Sequence, residues 1–93
     1  MLLVPGNKHF SWLKAANVFG LGEEAFWPIA LDAQGRLSIP ALRAAIHRAH
    51  EAGRPVLAVV SVAGTTEAGE IDPVDAVCDE LEGWRVSGVD IWH

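Results

Sequence analysis

The sequence predicts an α/β fold in which helices cover a mostly parallel sheet. Strand-like and helix-like segments alternate along the chain in the order strand, helix, strand, helix, strand, helix, strand, which is typical of layered α/β domains with right-handed crossovers. Residues 56–62 form a nearly unbroken aliphatic run, as in parallel strands covered on both faces. With 93 residues and 51% hydrophobic content, the chain can form at most one small domain.

The first strand and helix are predicted in the opening 20 residues. Residues 2–4 are apolar and precede the turn-forming run Pro-Gly-Asn. A helix should follow with Ser11 as its N-cap, and it should end before Gly20, which suits a left-handed cap position. The spacing i, i+3, i+4, i+7 predicts an apolar face made of Trp12, Ala15, Ala16 and Phe19.

A second strand, a turn and a second helix come next. Residues 25–31 are aromatic and apolar, but Pro28 cannot donate to a sheet ladder, which indicates an edge strand or a bulge. Residues 32–36 are typical of a turn. Ser38 is the predicted N-cap of a helix that has proline in its first turn and ends at Gly53. The buried stripe of this helix is predicted to be Ile39, Leu42, Ile46 and Ala49.

The third strand, residues 56–62, is the clearest strand in the sequence. A Gly-Thr-Thr loop follows, and then Asp72, which with the proline after it is predicted to cap the third helix. Residues 83–88 fit no element clearly, and residues 89–92 resemble the start of a further strand. The third helix should bury a stripe of Val74, Val77, Cys78 and Leu81, which makes Cys78 a small core residue.

Charge and composition exclude several classes of function. The chain has 12 acidic and 7 basic residues, and its Lys and Arg residues do not cluster, so no nucleic-acid partner is expected. Cys78 is the only cysteine, which excludes an internal disulfide and suits a reducing cytoplasm. No apolar stretch approaches the ~18 residues that span a bilayer. We therefore expect a cytoplasmic protein without a membrane partner.

His9 and Thr66 are the candidate site residues. Each follows a predicted strand, and ligands of open α/β sheets bind beyond the carboxyl ends of the strands. Both residues should therefore lie at the same edge of the sheet. Taken alone, a histidine at a loop-to-helix junction is more often solvated or capping. Gly-Thr-Thr alone is more often a turn whose hydroxyls bind loop amides.

Two motifs carry a family resemblance. One is HFSWLKAA at residues 9–16, and the other is VVSVAGTT at residues 59–66, which continues into GEIDP at 69–73. They resemble the group II pyridoxal-phosphate-dependent amino-acid decarboxylases, which include glutamate, aromatic-amino-acid and histidine decarboxylases. The resemblance implies a three-layer α/β/α large domain of fold type I, a mostly parallel sheet, of which residues 1–93 would be an internal part, incomplete at both ends.

The same resemblance implies roles for the site residues. The cofactor would be pyridoxal 5'-phosphate, with the His9 imidazole against one face of its ring and the Thr66 hydroxyl nearby. The family's Schiff-base lysine and its ring-nitrogen aspartate would lie outside these residues, so the chain would contain no catalytic residue and would be inactive alone. The substrate would be an amino acid, and the full enzyme would be a homodimer.

Two alternatives stay open. A related fold type I enzyme, such as a carbon-carbon lyase or an aminotransferase, would share these motifs, and a small cofactor-free interaction module would share the topology. The module would fold cooperatively by itself. A piece of a larger sheet should fold poorly, because its apolar edges and faces would be exposed.

Histidines and tryptophans elsewhere in the chain have simpler explanations. His47 and His50 are i, i+3 neighbours on the second helix, but no carboxylate or thiol completes a ligand set, so we expect a solvated helix face and no metal. Trp12, Trp27 and Trp92 lie on the predicted helical stripe or in predicted strands, so core packing is expected.

Overall fold

The computed structural model describes all 93 residues and contains a parallel sheet with helices on both faces. A 3-10 helix, Glu23–Ala25, precedes the second strand. The strands are β1 (Leu2–Pro5), β2 (Phe26–Ile29) and β3 (Ala58–Val59), and the α-helices are α1 (Ser11–Val18), α2 (Ile39–Glu51) and α3 (Val74–Val86). The predicted alternation of strands and helices is confirmed.

The sheet has the strand order β2-β1-β3, and every pairing is parallel. Leu2 of β1 lies opposite Phe26 on one side and Ala58 on the other. Pro28 lies in β2 at the edge of this sheet, as its missing N–H predicts. A single parallel bridge from Ala58 to Trp92 represents the predicted fourth strand.

Helices α2 and α3 cover one face of the sheet. Leu42 and Ile46 of α2 and Val77 of α3 are at most 1% exposed and pack with Leu3 and Val59 of the sheet. The complete cluster contains Leu3, Ile29, Leu37, Leu42, Ala45, Ile46, Val59, Val77, Leu81 and Ile91. The stripe predicted for α2 is therefore confirmed, except that Ile39 is only half-buried.

Helix α1 lies against the opposite face, where burial is sparse. Only three residues form a buried cluster there: Val4, Ala16 and Phe26. Trp12 and Ala15 are half-buried, whereas Phe19, predicted to face inward, follows the last residue of the helix and is 73% exposed. Apolar side chains of α1 thus remain in contact with solvent.

The third strand is shorter than predicted. Only Ala58 and Val59 form it, and Val60 N donates to Leu3 O just beyond them at 2.9 Å. The Val62 amide donates instead to the Asp72 carboxylate at 2.8 Å, so a side chain replaces the neighbouring strand as its partner. Leu57, which the prediction placed in this strand, lies just before it and is 61% exposed.

Of the three predicted N-caps, only Ser38 is confirmed. Its Oγ accepts from the Ala41 amide at 3.4 Å. Ser11 is not a cap but the first residue of α1, and its amide donates to His9 Nδ1 at 3.3 Å. Asp72 does not cap α3, because its carboxylate is occupied by other amides, and Pro73 stands at the N-cap position.

Three further expectations about burial are wrong, and the first is that Val74, predicted to lie on the buried stripe of α3, is 38% exposed. Cys78 is exposed because the inward face of α3 carries Val77 and Leu81, which turns the neighbouring position outward. Trp92 is 71% exposed, since it lies on the sparsely covered face beside β3. Residues 83–86, which fit no element in the sequence, continue α3. None of the helices combines the length and the apolar character needed to cross a membrane.

Candidate functional site

A cleft lies at the carboxyl ends of β1 and β3, between the loops that follow these two strands. Its volume is about 520 Å³. One rim is formed by Asn7, Lys8, His9 and Phe10, and the other by Thr65, Thr66, Glu67 and Ala68. Because β1 and β3 are adjacent and parallel, their loops emerge at the same sheet edge. His9 and Thr66 line this one cleft, as their positions after the strands predict.

His9 is held at the start of α1 by its neighbour in the chain. The Ser11 amide donates to His9 Nδ1 at 3.3 Å, and Ser11 Oγ lies 3.0 Å from the same nitrogen. Since a backbone N–H can only donate, this contact favours the tautomer in which Nδ1 accepts and the ring proton lies on Nε2. The Phe10 ring packs on the imidazole with centroids 4.1 Å apart. In this tautomer, His9 presents an Nε2–H donor that no other group of the chain engages.

The two threonines of the second rim have different surroundings. Thr65 is 9% exposed, and its Oγ1 accepts from the Glu70 amide at 3.0 Å, which closes the loop. Thr66 is exposed, and no hydrogen bond within the chain engages its hydroxyl. Gly64 begins the loop at φ 101°, a conformation that side chains rarely adopt. The loop therefore uses Thr65 for its own structure and leaves Thr66 free for a ligand.

Asp72 is the one buried acidic residue, and its role was missed in the sequence. It is 2% exposed, and its two carboxylate oxygens accept from the Leu37 amide at 2.7 Å and from the Val62 amide at 2.8 Å. Both bonds are charge-assisted and satisfy backbone donors that have no partner strand. No local sequence signal could reveal this role, because Leu37 lies 35 residues away.

Lys8 and Glu67 also line the cleft, one on each rim. The site therefore carries one positive and one negative side chain, together with the amide of Asn7. Sequence reasoning did not single out these residues. The available signal was their position beside His9 and Thr66 in the same two loops.

Cys78 has a histidine beside it. Its Sγ lies 3.2 Å from His93 Nδ1, and Ser61 Oγ lies 2.7 Å from His93 Nε2. None of these three residues lines the cleft.

His47 and His50 are exposed on α2, and both rings contact Trp84 of α3, with centroids 4.7 and 5.8 Å away. The structure contains no group of three or more His, Cys, Asp or Glu side chains that could hold a metal ion. The exposure of both imidazoles confirms the predicted solvated helix face, and the contact with Trp84 is an addition.

The chemistry of the cleft fits a planar, phosphorylated heteroaromatic ligand such as pyridoxal phosphate. The site offers a flat imidazole with one free N–H, an unengaged hydroxyl on Thr66 and the ammonium group of Lys8. These groups can contact an aromatic ring, donate to oxygen atoms and attract negative charge. The volume of about 520 Å³ is within the usual range for small-molecule sites.

Known proteins resemble this chain over nearly its full length. The profile of the pyridoxal-dependent decarboxylase conserved domain matches residues 2–92. An L-tyrosine decarboxylase from Levilactobacillus brevis is 41% identical over 75 residues, which cover 81% of this chain and 12% of that protein. An L-2,4-diaminobutyrate decarboxylase from Rhizobium meliloti is 44% identical over 79 residues, covering 85% of this chain and 16% of that protein.

Solved structures agree with this relationship. The glutamate decarboxylase domain of the diaminobutyrate-pyruvate transaminase and L-2,4-diaminobutyrate decarboxylase from Vibrio parahaemolyticus matches with a TM-score of 0.83 and 32% identity. The match covers 98% of this chain and 19% of that one. Mouse CSAD in its apo form matches with a TM-score of 0.83 and 30% identity, covering 88% of this chain and 17% of that one.

The chain thus spans less than a fifth of the length of each of these four proteins. Its parallel α/β architecture is that of the fold type I decarboxylases, as the two motifs predict. The profile match over residues 2–92 and the identities of 41% and 44% identify the family. The chain belongs to the pyridoxal-dependent decarboxylase family.

Proposed function

We propose that these residues form part of the cofactor-binding domain of an enzyme that removes the α-carboxyl group from an amino acid. The observation that carries the proposal is the shared cleft of His9 and Thr66, in a chain of the pyridoxal-dependent decarboxylase family. His9 and Thr66 are the proposed cofactor-binding residues. The relatives act on different amino acids by name, including tyrosine and diaminobutyrate, so the proposal extends to the substrate class only.

The residues of this chain would bind and orient. Bound pyridoxal phosphate supplies an electron sink for the electron pair left on the substrate's α-carbon. His9 offers a flat ring whose Nδ1 is held by the Ser11 amide, so its Nε2–H can donate to a carboxylate or to another oxygen in the cleft. The Thr66 hydroxyl is free to donate or accept, and Thr65 keeps the loop in place.

A chimeric enzyme tests the proposal. The chain replaces the matching segment of the Vibrio parahaemolyticus decarboxylase domain, whose structure aligns with 98% of it, and release of carbon dioxide from L-2,4-diaminobutyrate is measured. The chimera should bind pyridoxal phosphate and release carbon dioxide. His9→Ala should lower kcat/KM by about 30-fold, as expected for loss of a hydrogen bond to a charged group worth about 2 kcal/mol.

The matched control is His47→Ala, which removes an exposed imidazole from α2, far from the cleft in the fold. Its kcat/KM should equal that of the unsubstituted chimera. A His9→Phe variant separates the flat ring from the hydrogen bond, because phenylalanine keeps only the ring. The proposal fails if His9→Ala behaves like His47→Ala. A product that retains the α-carboxyl group would assign a different reaction of the same fold.

The proposal includes a cytoplasmic homodimer. A single cysteine without a disulfide is compatible with a reducing compartment, and the net charge of −5 argues against a nucleic-acid partner. Exposed apolar side chains on the α1 side, including Val18 at 79%, Phe19 at 73% and Leu21 at 51%, offer surface for further protein contacts. The molar mass of the chimera in solution, from light scattering, tests the dimer.

A further inference from the structure

The hairpin-like segment of residues 31–37 lies behind the cleft, and we propose that this strap fixes the distance between the two rims. Asn7 and Asp72 would then be positioning residues that act through it. The inference rests on the proposed function for its consequence, which is cofactor affinity. Its geometry rests only on contacts within this chain.

Hydrogen bonds within residues 31–37 stabilise the conformation of the strap. Leu31 and Leu37 form an antiparallel bridge, and Asp32 N donates to Arg36 O at 2.7 Å. The Asp32 carboxylate accepts from the Gln34 and Arg36 amides at 2.9 and 3.0 Å. It also accepts from the Arg36 guanidinium at 3.0 and 3.1 Å. One carboxylate thus satisfies four donors within five residues, which makes the turn stiff.

The first rim is tied to the strap by Asn7. Its Nδ2 donates to Gly35 O at 3.0 Å, and the neighbouring Gly6 N donates to Ile29 O at 2.9 Å, just before the strap. Asn7 lines the cleft two residues before His9. A shift of the strap would therefore be transmitted to the loop that carries the imidazole.

The second rim is tied to the strap by Asp72. Its Oδ1 accepts from Leu37 N at 2.7 Å, and its Oδ2 accepts from Val62 N at 2.8 Å. Within residues 62–72, the Gly64 and Thr65 amides both donate to Glu70 O, which closes the loop that carries the two threonines. The Glu70 side chain lies near Gly35 of the strap, since a side chain added at Gly35 would come within 4.0 Å of Glu70 Cγ. Through Asp72, the loop that carries Thr66 is therefore hydrogen-bonded to the same strap as the first rim.

No hydrogen bond joins the two rims directly. Asn7 donates to the strap, His9 contacts Ser11 on its own rim, and Thr65 accepts from the Glu70 amide in its own loop. The last sheet bond between the two strands, from Val60 N to Leu3 O, lies before either rim begins. Beyond that bond, the strap supplies the polar connection between the rims. The rims should therefore respond together when either connection is removed.

The test uses the chimeric holoenzyme with the full chain in place. Asp72→Asn replaces one acceptor oxygen by an NH₂ group, which cannot accept from a backbone amide. We expect the apo form to bind added pyridoxal phosphate about tenfold more weakly, as for loss of one hydrogen bond to a charged group. Hydrogen exchange should also become about fivefold faster at residues 8–10, which Asp72 does not touch.

Asn7→Ala tests whether a change at the first rim reaches the second rim. Because Asn7 is exposed, its removal does not leave a buried polar group without a partner. It should speed exchange at residues 65–70, on the far rim. Glu80→Gln is the control, because it weakens the contact of Glu80 with Arg43 at 2.7 Å between α2 and α3, away from the cleft. This control should change neither cofactor affinity nor exchange at the two rims.

The outcomes separate the two proposals. If the unsubstituted chimera does not bind pyridoxal phosphate, the proposed function fails, and the exchange measurements still decide whether the strap couples the rims. If faster exchange in Asp72→Asn is confined to residues 62–72, and in Asn7→Ala to residues 6–10, the strap inference is overturned. It is also overturned if both variants bind the cofactor as tightly as Glu80→Gln does.

Discussion

The helical layer of α2 and α3 and the rims of the cleft are held in place by different forces. Buried apolar residues of α2, α3 and the sheet, together with Leu37 and Ile91, form one cluster of ten beneath the two helices. The rims are fixed instead by a few side-chain hydrogen bonds, chiefly those of Asn7, Asp32, Thr65 and Asp72. Apolar burial is non-directional and scales with area, whereas a hydrogen bond fixes distance and angle.

This difference explains how the chain can combine stability with a defined site. The layer supplies most of the free energy of folding, because each buried aliphatic side chain contributes about 1.5 to 3 kcal/mol. The rims contribute less to stability and more to geometry. Substitutions in the helical layer should therefore lower the free energy of unfolding, whereas substitutions at the rims should mainly change cofactor binding.

The largest effect is expected in the helical layer. Leu42→Ala removes a side chain that is 0% exposed, and it should reduce stability by about 3 kcal/mol through lost burial and a residual cavity. Leu13→Ala makes the same chemical change at a position that is 41% exposed and should cost less than about 1 kcal/mol. Native-state hydrogen exchange of the amides in the affected helix measures both. Equal losses of stability in the two variants would contradict the expected difference between the face covered by α2 and α3 and the face covered by α1.

A smaller effect is expected at the two threonines, which form a matched pair. Thr65→Val removes the acceptor for the Glu70 amide and should lower the stability of the loop by about 1 kcal/mol. Thr66→Val changes an exposed hydroxyl and should leave the stability of the loop unchanged while weakening the binding of pyridoxal phosphate. Exchange of the Glu70 amide and cofactor titration of the chimera test the pair. The division of roles is wrong if Thr66→Val also speeds that exchange.

The smallest effect is a dependence on pH at the strap. The backbone amide of Arg36, followed by its guanidinium and the Gln34 amide, lowers the pKa of Asp32 below its ordinary value, although partial desolvation opposes this shift. Because the folded pKa is depressed, the stabilisation is present above the unfolded pKa and is lost as the pH falls through the folded pKa. The chemical shifts of the Gln34 and Arg36 amides should titrate below about pH 3.9, the ordinary aspartate value.

Asp32→Asn is the control for this titration, since an amide side chain does not ionise, and its strap amides should show no such transition. The amide of Ile46, whose uncharged side chain is buried in the core, should keep its shift over the same range. A midpoint at or above the ordinary aspartate value would contradict the prediction. Such a result would mean that the carboxylate is not held by the donors of the strap.

Much of the site was predictable from residue order alone. His9 and Thr66 each follow a strand, and parallel neighbours bring such positions to one edge. Contacts between distant segments were not predictable. Asp72 followed by proline fits a helix cap locally, yet its carboxylate binds amides at residues 37 and 62. Cys78 fits a buried stripe, but the angle at which α3 packs turns it outward.

By itself, the sequence determined the order of strands and helices, the family and the two loops that form the cleft, because these follow from local patterns and motifs. The tertiary structure decided where strand β3 ends, which acidic residue is buried and how the two rims are linked. Each of these depends on a hydrogen bond between segments far apart in the chain, such as the one from Leu37 to Asp72. Local preference cannot identify such a partner, because the donor and the acceptor meet only after the sheet has formed.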